Sequence, residues 1–152
     1  MIHVHDLTVR YDERIALESV SLHAEPGEWV LVSGPSGCGK STLAKALCGI
    51  IPHVVDAQMG GHITIAGLDT HAHAIPTLAQ QVGIVFQNPG SQLFHLHVAD
   101  EVAFGPRNLG LSEDDVQART EWALQATGLT NLRDRRPSEL SGGQKQIVAI
   151  AA

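Results

Sequence analysis

Eight consecutive residues carry the densest chemistry in this chain: Gly34, Pro35, Ser36, Gly37, Cys38, Gly39, Lys40 and Ser41. They fit the spacing G-x-x-x-x-G-K-[ST] in full. Glycines let the backbone curl until successive N–H groups converge on one point, which makes a nest for an anion. A helix starting there adds the positive end of its dipole. Lys40 can reach the outer phosphates of a nucleotide as a point charge, and Ser41 offers Mg²⁺ a hard hydroxyl oxygen. A bare strand-to-helix turn with an accidental lysine would also place glycines here. Eight matched positions, with an apolar run before them and a helical pattern after them, speak against that. The loop implies a nucleotide but no particular reaction, because kinases, GTPases and transport ATPases share it.

A second constellation is Leu140, Ser141, Gly142, Gly143 and Gln144. Two glycines after a serine at a helix start make another anion-binding terminus. One triphosphate does not need two such cradles in one domain. The simplest use of the second is to cap the γ-phosphate held by the loop of another copy, which implies a head-to-tail pair with nucleotide between the chains.

The elements that must position these groups follow from patterning. Residues 2–11 alternate loosely and residues 16–24 more clearly, as strands do. Residues 29–32 are a short continuous apolar run, expected of a strand buried on both faces, and residues 82–86 read the same way. After the phosphate loop, Leu43, Ala44, Ala46, Leu47 and Ile50 recur at helical spacing, with Gly49 as a stop. Ile63 to Ala66 reads as a further sheet segment, and residues 87–97 as a loop. Ser112 with Asp115 opens a helix running to about Thr127, with Val116, Trp122, Ala123 and Ala126 on one face. Ser141 caps a last helix through Ile147, Val148, Ile150 and Ala151. Strands alternating with helices define an α/β core. Trp29 and Trp122 suit core or half-buried positions.

These motifs, in this order, resemble the ATP-binding subunits of ABC transporters. Residues 34–41 look like their Walker A loop and residues 140–144 like their signature motif. The resemblance implies a P-loop core of ABC type with an antiparallel β subdomain and, over about 87–140, a helical subdomain. It implies ATP and Mg²⁺ as cofactors, with Thr42 joining the loop residues around the phosphates. Gln87 resembles the Q-loop glutamine, which contacts Mg²⁺ and the attacking water, so Gln87 and Lys40 would be catalytic and Ser41 and Gln87 would meet the metal. Tyr11 sits where the family places an aromatic residue against adenine. Ser141, Gly142, Gly143 and Gln144 would act across a dimer, homomeric or heteromeric. Residues 86–94 with residues 101–106 are similar to the energy-coupling factor branch, which serves vitamin and metal-ion uptake in prokaryotes. That implies an integral membrane subunit as partner and a peripheral position on the cytoplasmic face of the cell membrane. The resemblance covers the whole chain, yet the Walker B strand with its Asp-Glu pair, the D-loop and the switch histidine have no counterpart within these 152 residues. The fold is therefore expected to be incomplete at its C-terminal side, and ATP turnover by this polypeptide alone slow or absent. Ile147 stands where the family usually has a basic residue.

Composition fits this reading. Net charge is −6 and the isoelectric point about 5.8, so no basic footprint for nucleic acid exists at whole-chain level. A polyanion here must be held by local geometry. Hydrophobic residues make up 43%, enough for a core. Two cysteines are too few for a disulfide scaffold and suit reduced thiols in a cytosolic protein. The first residues do not read as a signal peptide, and no apolar stretch approaches a membrane span. Nine histidines raise the question of metal binding. Three pairs are spaced by one residue (His3/His5, His71/His73, His95/His97), but none has a cysteine or carboxylate set at a known zinc spacing. Solvated rings explain them better. A P-loop small-molecule kinase would leave the second glycine motif without a use.

Overall fold

The computed structural model describes all residues from Met1 to Ala152, which form two compact units, Met1–Ile84 and Val85–Ala152.

The first unit is built on a four-stranded antiparallel sheet. Strands β1 (Ile2–Tyr11), β2 (Arg14–Ala24), β3 (Gln58–Ile65) and β4 (Leu68–Asp69) lie in the order β2-β1-β3-β4. Both long strands carry a defect that explains their uneven patterning. In β1 the buried positions are Val4, then Leu7 and Val9; the three-residue step puts the later residues back on the core face. The step falls at Asp6, whose φ is 48°, and β2 makes the matching adjustment at Ser19, also at φ 48°. Each costs backbone strain for a non-glycine residue. Side chains replace the lost ladder bonds. The Asp6 amide donates to Ser21 Oγ at 3.0 Å, the Ser19 amide donates to Thr8 Oγ1 at 3.1 Å, and the Ser19 hydroxyl donates to Asp6 Oδ1 at 3.3 Å. Helix α1 (Lys40–Leu47) lays Leu43 and Ala46 on the core formed by Val4, Leu7, Val9, Leu17, Ile63 and Ile65. Two short helical turns, α2 (Ile50–His53) and α3 (Ile75–Leu78), add Ile51 and Leu78 to the buried set.

Two sequence expectations fail in this unit and at its end. Residues 29–32 and 82–86 are not strands. A strand buried on both faces needs ladder partners on its edges, and the four strands present pair among themselves. Trp29 is consequently 97% exposed and Leu31 91% exposed, while Val85 and Phe86 also reach solvent. Only Val82 of the second run packs against the core.

The second unit is helical. Helices α4 (Val98–Asn108), α5 (Glu113–Ala126) and α6 (Gly142–Ala151) enclose Val98, Val102, Leu124, Leu129, Leu140 and Val148. Ser112 caps α5, accepting from the Asp115 amide at 3.2 Å, and Glu113, Asp114 and Asp115 complement the helix dipole. The buried stripe of α5 is Val116, Thr120 and Leu124, one residue every four. Trp122 lies about 200° round the helix from Thr120 by that geometry and is 71% exposed, not packed on the Val116 face. The amides of Val98 and Ala99 at the start of α4 donate to the Arg135 and Arg133 carbonyls at 3.0 and 2.9 Å, so the basic segment before α6 serves as a backbone cap. No helix is long and apolar enough to cross a membrane.

Candidate functional site

The phosphate-type loop connects the run at residues 29–32 to α1. Three of its glycines sit at positive φ: Gly34 at 151°, Gly37 at 81° and Gly39 at 98°. Gly39 is the residue before the helix, and its position admits no side chain. A Cβ there would lie 2.5 Å from the Ala16 carbonyl oxygen and 2.6 Å from Leu17 Cδ2. The loop is therefore pressed against β2 at one point and open to solvent over residues 34–38. The amides of Gly37, Gly39, Lys40, Ser41 and Thr42 make no hydrogen bond within the protein. Only Cys38 donates inside the loop, to the Pro35 carbonyl at 3.4 Å. Unpaired amides at a helix start, with a lysine above them, are what an anion of high charge requires.

Lys40 folds back over the loop. Its Nζ donates to the Gly34 and Pro35 carbonyls, both at 2.8 Å, and stands 3.4 Å from Cys38 Sγ. The ammonium is thus held at the mouth of the nest, where it could exchange carbonyls for phosphate oxygens. Ser41 is exposed in the first turn of α1, its hydroxyl without a protein partner. Tyr11, at the end of β1, is half-buried and packs on the first core. Arg14, which the sequence did not single out, brings Nη2 to 3.9 Å from where a Cβ on Gly37 would lie, so a second cation stands beside the loop. Its signal is its pairing with Tyr11 across the β1–β2 turn, visible only once the register is known.

Gln87 and residues 140–144 belong to the second unit. Gln87 is exposed in the loop before α4. That loop is anchored by Glu101, 3% exposed, whose Oε2 accepts the amides of Phe94 at 2.9 Å and His95 at 2.8 Å, with His95 Nδ1 3.3 Å away. The sequence marked Glu101 only as the start of the run 101–106; its hold on the loop amides went unread, because an acidic residue in a first helical turn is ordinary. Ser141 and Gln144 form a reciprocal cap on α6: the Gln144 amide donates to Ser141 Oγ at 3.2 Å and the Ser141 amide donates to Gln144 Oε1 at 2.9 Å. Both side chains are thereby engaged, while Gly142 and Gly143 leave their amides open with no atom near a Cβ position on either. Ile147 is 39% exposed on the same helix.

The two thiols differ. Burial pushes the Cys48 thiol up, which keeps it protonated and unreactive at neutral pH, while Cys38 is exposed.

This combination of a nested loop, an antiparallel sheet and a serine-capped glycine helix defines a class of nucleotide-binding domain, and comparison with known proteins gives the family. A profile of the ABC transporter family matches residues 17–152. The chain is 42% identical, over its full length, to a protein of Pyrococcus horikoshii that carries the name of an ABC transporter ATP-binding protein, and covers 54% of it. A Methanosarcina acetivorans protein of the same description is 45% identical over the full chain, which spans 24% of that protein. Among solved structures, cbiO1 from Clostridium perfringens, part of the ABC transporter complex cbiONQ, is 36% identical with a TM-score of 0.84; the match covers 99% of this chain and 59% of cbiO1. The dimeric post-hydrolysis structure of the ATP-binding cassette MJ0796 with ADP and Pi gives 28% identity and a TM-score of 0.79, over 99% of this chain and 68% of that one.

The chain belongs to the ABC transporter ATP-binding family and has the α/β fold of its ATPase domains. It spans about half the length of the Pyrococcus relative.

Proposed function

We propose that these residues grip MgATP as part of a transport ATPase. The observation that carries this reading is the set of unpaired amides at Gly37 and from Gly39 to Thr42, close to the Lys40 ammonium. Gly34, Pro35, Ser36, Gly37, Cys38 and Gly39 supply the curled backbone, Lys40 meets the outer phosphates, and Ser41 supplies an oxygen for Mg²⁺. Tyr11 offers a ring to adenine. Gln87 would complete the metal and water site, and the open Gly142 and Gly143 amides would face the γ-phosphate on a second subunit's loop. Residues 87–140 form the helical subdomain in this reading. Bound Mg²⁺ would neutralise phosphate charge; the chain's own part is to bind, orient and screen the triphosphate.

The longer reading is an energy-coupling factor importer of a small solute such as a vitamin or metal ion. The likeness to cbiO1 and the motif at residues 86–94 and 101–106 support it. Two ATP-binding subunits would pair head-to-tail beside an integral membrane partner at the cytoplasmic face. Hydrolysis would draw on the Asp-Glu pair of a Walker B strand, which these 152 residues do not supply.

The grip is tested by thermal unfolding with and without MgATP. Ligand binding only the native state at 100 times its Kd adds about 2.7 kcal/mol, which for a chain of this size raises Tm by roughly 5–10 °C. Unchanged unfolding at millimolar MgATP would remove nucleotide binding from this chain.

A further inference from the structure

The solvent face of the sheet carries a cluster that ATP binding does not use. His3 on β1 and His23 on β2 are direct register partners. Their Nδ1 atoms stand 2.8 Å apart, with ring centroids 4.2 Å apart and the rings tilted by 46°. On its far side, His23 Nε2 lies 2.7 Å from Glu25 Oε1. The carboxylate can only accept. His23 therefore carries a proton on Nε2, and with both rings neutral it turns a lone pair on Nδ1 toward His3, whose Nδ1–H fills the gap. The same hydrogen bond holds the Glu25 carboxyl below its usual range.

A single proton thus joins two imidazole nitrogens, one of them oriented by a carboxylate from behind. The carboxylate–histidine pair is the arrangement that fixes the tautomer and raises the basicity of a metal-bound histidine. We propose that His3 and His23 form a two-nitrogen site for a divalent transition-metal ion, oriented by Glu25. Nowhere does the structure gather three metal-ligating side chains, so water completes the coordination shell. Metal–nitrogen bonds of about 2.05 Å at a near-tetrahedral angle set the nitrogens about 3.3 Å apart, so the exposed rings need open by only roughly half an ångström. Binding replaces the shared proton, leaving His3 protonated on Nε2. Imidazole donors select Cu²⁺, Ni²⁺ and Zn²⁺ over Mg²⁺ or Mn²⁺, with Cu²⁺ bound most tightly. The site uses no residue of the phosphate loop.

Isothermal titration of the full chain with Zn²⁺ alone, free of nucleotide, tests this. One equivalent should bind at the tightest site. That site should vanish in His3→Gln and in His23→Gln and persist in His5→Gln, whose ring pairs with Asp6 at 3.4 Å instead. Glu25→Ala should weaken Zn²⁺ by about 10- to 100-fold with Tm unchanged, and the His23 ring ¹⁵N shifts should show the fixed tautomer lost. No Zn²⁺ uptake, or a tightest site that survives in both histidine variants, overturns the proposal. Unchanged affinity in Glu25→Ala overturns the orienting role of the carboxylate.

Discussion

Lys40→Ala is expected to lower MgATP affinity by about 100-fold while leaving the fold intact. Hydrogen bonds to charged groups are worth about 1.5–3 kcal/mol each, and a loss of about 3 kcal/mol corresponds to roughly two decades in Kd. The unliganded protein loses little, because the Gly34 and Pro35 carbonyls that accept from Nζ lie in an exposed loop where water can replace the ammonium. Lys40→Arg should not restore binding fully, since a planar guanidinium is a poor substitute for a compact ammonium inside a tight nest. Lys45→Ala, in the last turn of the same helix, serves as the control and should bind MgATP as the parent does. Calorimetric titration reads all three. An alanine variant at position 40 within about threefold of the parent Kd, less than 1 kcal/mol, would place the lysine outside the phosphate site.

Gly61→Ala should be the most damaging substitution in the first unit. Gly61 sits at φ 83° on β3, beside the defect in β1. A Cβ there would collide with the carbonyl oxygens of Asp6 and His5, which are backbone and cannot swing away. Left-handed backbone costs an alanine about 1–2 kcal/mol, and shifting β1 to relieve the collision adds to it. The expected loss is about 3–5 kcal/mol, in the range of the exceptional single mutations, or roughly 10 °C in Tm. The damage should spread, because the three-residue step at Asp6 decides whether Leu7 and Val9 face the core. Gly60→Ala is the matched comparison: nothing lies within 4 Å of its Cβ position, and its φ is not positive. Equal melting temperatures for the two variants would show that β1 yields more readily than this geometry allows.

Local signals were the legible part of this chain. The bounds of β1 and α5, the caps Ser112 and Ser141, and the glycine loop with its helix each announce themselves within a few residues. The resemblance carried by the loop and residues 140–144 matched the fold and family that comparison gave. Signals that depend on a distant partner were not legible. The run at residues 29–32 has the composition of a buried strand, but whether it becomes one depends on neighbours, and none of the four strands takes it. The steps at Asp6 and Ser19 use positive φ without glycine, so nothing in the residue types marks them. Histidines spaced by one residue drew attention in the sequence, whereas the pair in contact, His3 with His23, is twenty residues apart and meets only through strand register. Arg14 escaped notice for the same reason, since it stands beside the Gly37 loop, and Glu101 was marked only within the run 101–106, not for the amides of residues 94–95 that it holds.

The solvent-exposed indole of Trp29 makes the chain its own optical reporter. Only two tryptophans occur, Trp29 in the first unit and Trp122 on α5 of the second, and both are exposed, so a Trp122→Phe variant would isolate the emission of Trp29. With its ring in water, Trp29 is expected to emit at long wavelength. Any polypeptide that laid a strand along this run would bury the ring and shift its emission to the blue.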